Sequence, residues 1–166
     1  MNGKQHMKLG VAVGISGALF LKADMFSCCM YAAGTIIGAI LPDIDSPTSR
    51  LGRCVPILSK VLNKGFGHRG LFHSPIFLGI ISGVYWFFKI RYNIYNQYFL
   101  FGILTGDLLH LLQDMMTIGG IPLFYPFSRK KFSIGCFKSG SKADAVNTNV
   151  LCVLGYIGAF LVLGTL

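Results

Sequence analysis

Long apolar runs alternate with short polar breaks along this chain, and the runs have the length of helices rather than strands. Met25–Leu41 and Ala145–Leu166 carry no charge, and both approach or exceed the roughly 17–25 residues of a helical membrane span. Tyr98–Thr117 is long enough but carries Asp107, His110 and Asp114. Pro75–Phe88 is short, and reaches span length only if His73 and Ser74 extend it and it runs on to Ile90. Leu9–Leu21 is the shortest run; a start nearer Gln5 places His6 in its first turn. A signal peptide fits this first run less well, because no clear small-residue cleavage site follows and Lys22 and Asp24 come directly after it. The pattern predicts an all-α membrane protein of about five transmembrane helices, folded as a single integral membrane domain over residues 1–166.

Shorter segments complete the plan. Val55–Phe66 reads as an interfacial helix, with Ile57, Leu58, Val61 and Leu62 on one face and Lys60 and Lys64 on the other. Pro56 suits its start and Gly65 its end. Ile121–Phe137 sets apolar and aromatic flanks around Ser128-Arg129-Lys130-Lys131, as a short hairpin or a loop dipping into the interface. Ser139–Asn149 reads as a polar linker. No internal repeat is present.

Composition agrees with a membrane setting. The chain is 53% hydrophobic and 13% charged, with a mean hydropathy of +0.61, against about 25% charged residues in a soluble domain. With the N-terminus inside and five spans, all 15 Lys and Arg residues except Lys22, Lys89 and Arg91 fall on the inner side. That bias is the positive-inside signal and predicts a cytoplasmic N-terminus in the inner membrane. The net charge of +9 then belongs to loops facing anionic headgroups. No compact basic helix or interleaved aromatic motif points to nucleic acid.

Within this apolar chain the polar chemistry is concentrated. All four histidines and four of the six acidic residues occupy short clusters: His6; Asp43 and Asp45; His68 and His73; Asp107, His110 and Asp114. Ionisable groups in apolar surroundings are costly unless they pair or bind something. Imidazole with carboxylate is a ligand set of divalent metals. The five-span order puts every cluster at the inner boundary. Asp107, His110 and Asp114, at i, i+3 and i+7, share one helix face. The ordinary alternative is a polar stripe bonded to other helices; the other clusters at the same depth favour metal. Gly102 and Gly106 allow close helix approach. Asp43-Ile44-Asp45 lies between Pro42 and Pro47 and is expected to be a rigid, non-helical turn. Extended backbone would point its two carboxylates to opposite sides. Ser74 and Pro75 are a good N-cap and first helical residue. Arg69, between the two histidines, could hold phosphate in a bidentate fork or pair with headgroups or a nearby Asp.

Three motifs together, Leu-Pro-Asp-Ile-Asp-Ser-Pro, Gly-His-Arg-Gly-Leu-Phe-His-Ser, and Gly-Asp-Leu-Leu-His-Leu-Leu-Gln-Asp-Met-Met-Thr followed by Gly-Ile-Pro-Leu-Phe-Tyr-Pro-Phe, resemble the YdjM-type family of LexA-regulated, membrane-bound, metal-dependent hydrolases. The resemblance runs from His6 to about Gly135. It implies a small multi-spanning inner-membrane protein with metal-dependent hydrolase activity. It also implies metal ligands at His6, Asp43, Asp45, His68, His73, His110 and Asp114. Two positions depart from the family pattern. Asp107 stands where such proteins can carry a tyrosine, which keeps it out of the ligand set. Phe72 replaces a threonine common before the second histidine.

Seven ligand candidates exceed what one tetrahedral ion needs, so two divalent ions, drawn from Zn, Mn or Fe, are expected, sharing a carboxylate from Asp43, Asp45 or Asp114. Such a pair activates water and clamps a phosphoryl oxygen. Arg69 and Asp43 are the expected catalytic groups, with Arg50 on a basic rim. The expected substrate is a phosphoester of a lipid at the cytoplasmic face, and membrane lipid is the expected partner. A divalent-metal or proton-coupled transporter and a non-catalytic protein stapled by metal are the rivals. Cys28, Cys29, Cys54, Cys136 and Cys152 form no Cys-x-x-Cys pair and are expected to be reduced and structural. No Gly-x-Ser-x-Gly elbow or phosphate-binding glycine loop is present.

Overall fold

A computed structural model describes residues 3–93 and 96–164. Among the described residues seven α-helices dominate: α1 Gly3–Phe20, α2 Met25–Ile40, α3 Arg50–Cys54, α4 Pro56–Phe66, α5 Pro75–Tyr92, α6 Gln97–Met115 and α7 Lys142–Leu163. The protein is all-helical, with no named strand among the described residues. Two of its helical segments, Met25–Asp45 and Lys142–Leu161, are long and apolar enough to cross a membrane. The end of the predicted run Ala145–Leu166 lies outside the described residues.

The closest helix packing is between α2 and α6. Small residues make it close: a Cβ at Gly38 would collide with the Ile103 carbonyl, and one at Gly106 with the Thr35 carbonyl. Gly102 meets Tyr31, Gly106 meets Thr35, and His110 meets Ala39. Numbers rise together on the two helices, so they run parallel. Gly10 lies against Ala39 and Gly17 against Tyr31, so α1 runs antiparallel to α2. Lys8 bonds Asn149, and Gly155 lies beside Ser16, so α7 runs parallel to α1. The start of α1, the end of α2, the start of α5 and the end of α6 therefore gather at one end of the bundle.

Local chemistry sets the helix ends. Asp24 caps α2, accepting from the Ser27 hydroxyl at 2.6 Å and the Ser27 N–H at 3.1 Å. Those bonds hold its carboxyl below the usual range. Asn93 ends α5 in the left-handed region, with φ of 53°.

Three local expectations need correction. Leu41–Asp45 is a 3-10 helix, not an extended turn. Pro42 occupies its first turn, where a missing N–H costs nothing. Ser74 stands at the N-cap of α5, but its hydroxyl donates back to the Leu71 carbonyl at 2.6 Å. His73 consequently belongs to a separate 3-10 turn, Leu71–His73, and α5 gains its length at the other end, through Tyr92. The polar stretch before α7 is helical from Lys142. Buried Asp144 accepts the Gly140 N–H at 2.8 Å and donates its own N–H to the Ser141 hydroxyl at 3.2 Å, so polarity here caps a helix rather than marking a linker.

Helix α4 follows its sequence pattern, leaving Ile57 and Val61 more than half exposed while Ser59 is buried. The segment after α6 is a loop pinned by two isolated bridges, Ile121 with Phe132 and Thr117 with Phe137, with Phe127 projecting outward.

Candidate metal centre

Four helical segments bring their polar residues together at that end of the bundle. His6 comes from α1, Asp43 and Asp45 from the 3-10 turn after α2, His73 from the turn before α5, and His110 and Asp114 from α6. His6, Asp45, His73 and His110 are fully buried, and Asp114 is nearly so.

Each histidine turns Nδ1 to an oxygen. His6 faces Gln113 Oε1 at 2.8 Å, His68 faces Asp45 Oδ1 at 3.0 Å, His73 faces Asp45 Oδ2 at 3.2 Å, and His110 faces the Ala39 carbonyl at 2.8 Å. Carbonyl and carboxylate oxygens accept, so Nδ1 donates in every case, and in the neutral imidazole Nε2 then carries the lone pair.

Those lone pairs converge. His110 Nε2 lies 3.2 Å from His73 Nε2. Two acceptors at that separation repel unless a cation or proton lies between them. Two nitrogens bound to one tetrahedral ion at about 2.0–2.1 Å stand roughly 3.3–3.4 Å apart. His6 stacks on His110 with ring centroids 3.6 Å apart. Its Nε2 is buried without a hydrogen bond, 3.5 Å from Asp114 Oδ1. Asp114 Oδ2 lies 3.6 Å from His73 Nε2 and 3.9 Å from His110 Nε2. Asp43 Oδ1 lies 4.0 Å from His73 Nε2.

Two sets of ligand atoms result, His6–His110–Asp114 and Asp43–His73–His110, each with its atoms within 4.8 Å of one another. These buried groups fit a divalent ion. His110 has one lone pair and can serve only one ion at a time. Asp114 presents one oxygen to His6 and the other to His73 and His110, so its carboxylate spans both sets.

Asp45 and His68 stand outside both sets. Both Asp45 oxygens are engaged, by the Nδ1–H groups of His68 and His73 and by the Arg69 N–H at 3.2 Å. Asp45 thus orients two imidazoles, an arrangement that fixes tautomer and raises ligand basicity. The His68 side chain is 49% exposed and borders open space.

Arg69 is fixed from several sides. Its backbone is left-handed, with φ of 59°. Its guanidinium donates to Asp114 Oδ1 at 2.9 Å, and to Thr117 Oγ1 and the Gly120 carbonyl at 3.4 Å each. A Cβ at Gly119 would meet this guanidinium, so a side chain there would push Arg69 out of its present position. Of the two sequence readings for Arg69, pairing with a nearby Asp is the one the geometry displays. Asp107 is fully buried, with neither carboxylate oxygen hydrogen-bonded, and lies outside both ligand sets.

A cleft of about 400 Å³ opens beside the cluster. Asp43, His68 and Asp114 border it, with Lys4, Arg50, Arg53 and Arg69. Sequence reasoning anticipated Arg50 and Arg69 but not Lys4 and Arg53, whose positive charge was assigned to headgroup contact. It also missed Gln113 and Ala39 as imidazole acceptors. Gln113 carried a signal, since it adjoins Asp114 in the third motif; a backbone carbonyl carries none.

The sequence pattern described as "YdjM inner membrane protein" matches residues 1–165. The chain belongs to this family of inner membrane proteins. It is 36% identical over 126 residues to the uncharacterized protein YvsG of Bacillus subtilis (strain 168), covering 76% of this chain and 74% of that protein. It is 35% identical over 91 residues to the inner membrane protein YdjM of Escherichia coli (strain K12), covering 55% of this chain and 46% of that protein. The YdjM protein of Shigella flexneri matches to the same extent. The chain thus spans less than half the length of the two YdjM proteins. No solved structure matches it.

Proposed function

We propose that this YdjM-family protein is a metal-dependent hydrolase that cleaves a phosphoester of a membrane lipid at the cytoplasmic face of the inner membrane. The observation that carries the reading is the convergence of three buried Nε2 lone pairs, from His6, His73 and His110, on the Asp114 carboxylate beside a cationic cleft. The helix directions fit a five-span order, since long helices alternate in direction, and the bias of Lys and Arg to one side argues for the N-terminus inside. Under that order the cleft opens at the cytoplasmic boundary.

The parts divide the work. His6, His73, His110, Asp43 and Asp114 hold one or two divalent ions. Ions there supply the polarisation of a phosphoryl oxygen and the acidification of water that hydrolysis needs at neutral pH. Lys4, Arg50 and Arg53 attract the phosphoryl group into the cleft. Arg69 keeps Asp114 in place. His68 is the proton-handling group: Asp45 holds its Nδ1–H, and the ring borders the cleft. Its Nε2 takes a proton from the attacking water and returns that proton to the departing alkoxide oxygen as the P–O bond breaks.

The test separates His68 from the buried imidazoles. H68Q should keep the metal content of the wild type and lose roughly 100-fold or more in turnover on phospholipid and lipid-phosphate substrates. H110A should lose both metal and turnover. Full metal loading with no turnover across that panel would overturn the hydrolase reading.

Transport of a metal ion or proton is the second reading, favoured by Asp107, whose carboxylate lies buried and unbonded within α6, one turn from His110. Metal or proton flux into proteoliposomes, abolished by D107N, would establish it in place of hydrolysis.

A further inference from the structure

An apolar groove of about 690 Å³ runs between α2, α5 and α6, away from the cationic cleft. Met30, Phe77, Ile81, Val84, Phe99 and Ile103 line it. Its inner end lies at Phe77, one turn of α5 beyond His73, whose neighbour Phe72 meets the Phe77 ring with centroids 5.0 Å apart. On α6, Ile103 lies two turns before His110. Its outer end lies at Tyr85, Phe88 and Asn96, where the Tyr85 hydroxyl and the Asn96 backbone satisfy each other. The wall between is free of charge.

The dimensions select the occupant. From Phe77 to Phe88 a helix rises about 16 Å, close to the depth of one leaflet's hydrocarbon, about 15 Å. The groove's volume falls within the roughly 300–1,000 Å³ of small-ligand sites.

We propose that the groove seats one acyl chain of an inner-leaflet lipid, with the polar end of that lipid beside Phe77. The proposal rests on the membrane placement given above and deepens the lipid-substrate reading: the groove holds a lipid with its polar end toward the end of the bundle that carries His73 and Asp43.

The experiment places the full chain in vesicles of phosphatidylethanolamine and phosphatidylglycerol containing a phospholipid with a diazirine on its acyl chain. After irradiation, adducts are mapped by peptide mass spectrometry. Bulk lipid is as apolar as the groove, so enrichment comes from packing alone. Adducts on Met30, Val84 and Phe99 should exceed those on lipid-facing Phe160 and Leu161 of α7 by about five-fold. Filling the groove with I81W or V84W should remove that excess, and H110A should leave it intact. Adducts spread evenly over the apolar surface would overturn the proposal, as would α5 cross-linking to a second copy in place of lipid. Groove adducts without hydrolysis would sink the hydrolase reading alone; hydrolysis with evenly spread adducts would sink the groove alone.

Discussion

The carbonyl oxygen of Ala39 lies 2.8 Å from Nδ1 of His110, although the two residues stand on different helices. The contact fixes which nitrogen of His110 is left to bind metal. It exists because α2 and α6 touch backbone to backbone at Gly38 and Gly106. Packing between two apolar helices therefore sets the tautomer of a candidate ligand.

G106V tests that dependence. The added side chain collides with the Thr35 carbonyl and the Ala39 amide. Overpacking of this kind costs about 1–3 kcal/mol. The variant should unfold at lower temperature in detergent and bind metal more weakly than the wild type, though no ligand has changed. An exposed substitution on the same helix, L108A, should leave metal content as it was. Equal metal content in both variants would show that the helix contact does not tune His110.

Asp45 offers the complementary test, because it touches two imidazoles and belongs to neither ligand set. D45N keeps the shape but weakens the acceptor for His73 and His68. Loss of such an orienting partner lowers metal affinity by about 10–100-fold. Titration with a competing chelator measures it. A loss of metal as complete as that of H110A would make Asp45 a ligand, as the family resemblance implies.

Orientation can be read with the protein's own thiols. Cys54 at the end of α3 and Cys136 after α6 are both exposed and free. The five-span order places both on the cytoplasmic side. A membrane-impermeant maleimide should therefore label them in inverted membrane vesicles and not in intact spheroplasts. A cysteine introduced at Asn93, beyond α5, should show the opposite pattern. Labelling of Cys54 and Cys136 from opposite sides would exclude this topology.

The helices were legible because their apolar runs are long and their breaks carry charge. The clustering of His6, Asp43, His73, His110 and Asp114 was legible because alternating helix direction sends all of them to one end. The division of labour among them was not. Asp43 and Asp45 differ in role because a 3-10 turn sends one carboxylate toward the cleft and the other beneath two histidines; extended and 3-10 geometry are both compatible with Pro42 near the start. Arg69 looked equally suited to phosphate and to an aspartate, and the choice depended on Thr117 and Gly120, which lie far along the chain. The polar start of α7 misled because Ser141 and Asp144 are loop formers by composition, yet here they cap a helix.

Metal removal gives the most direct check on the centre. Without a cation, the Nε2 atoms of His73 and His110 face each other at 3.2 Å, and His6 Nε2 is buried without a bond. An ion in the Asp43–His73–His110 set would remove the first problem and one in the His6–His110–Asp114 set the second, so either should bind the folded state in strong preference to the unfolded chain. At a free concentration 100 times its Kd, that linkage adds about 2.7 kcal/mol to stability. Chelation should lower the unfolding temperature of the detergent-solubilised protein, and readdition of Zn, Mn or Fe should restore it in a concentration-dependent way. H110A should abolish the shift, because His110 belongs to both ligand sets. D43N should reduce it only in part, since His6, His110 and Asp114 still hold an ion. An unfolding temperature indifferent to chelator would mean that the three imidazoles meet for some purpose other than metal.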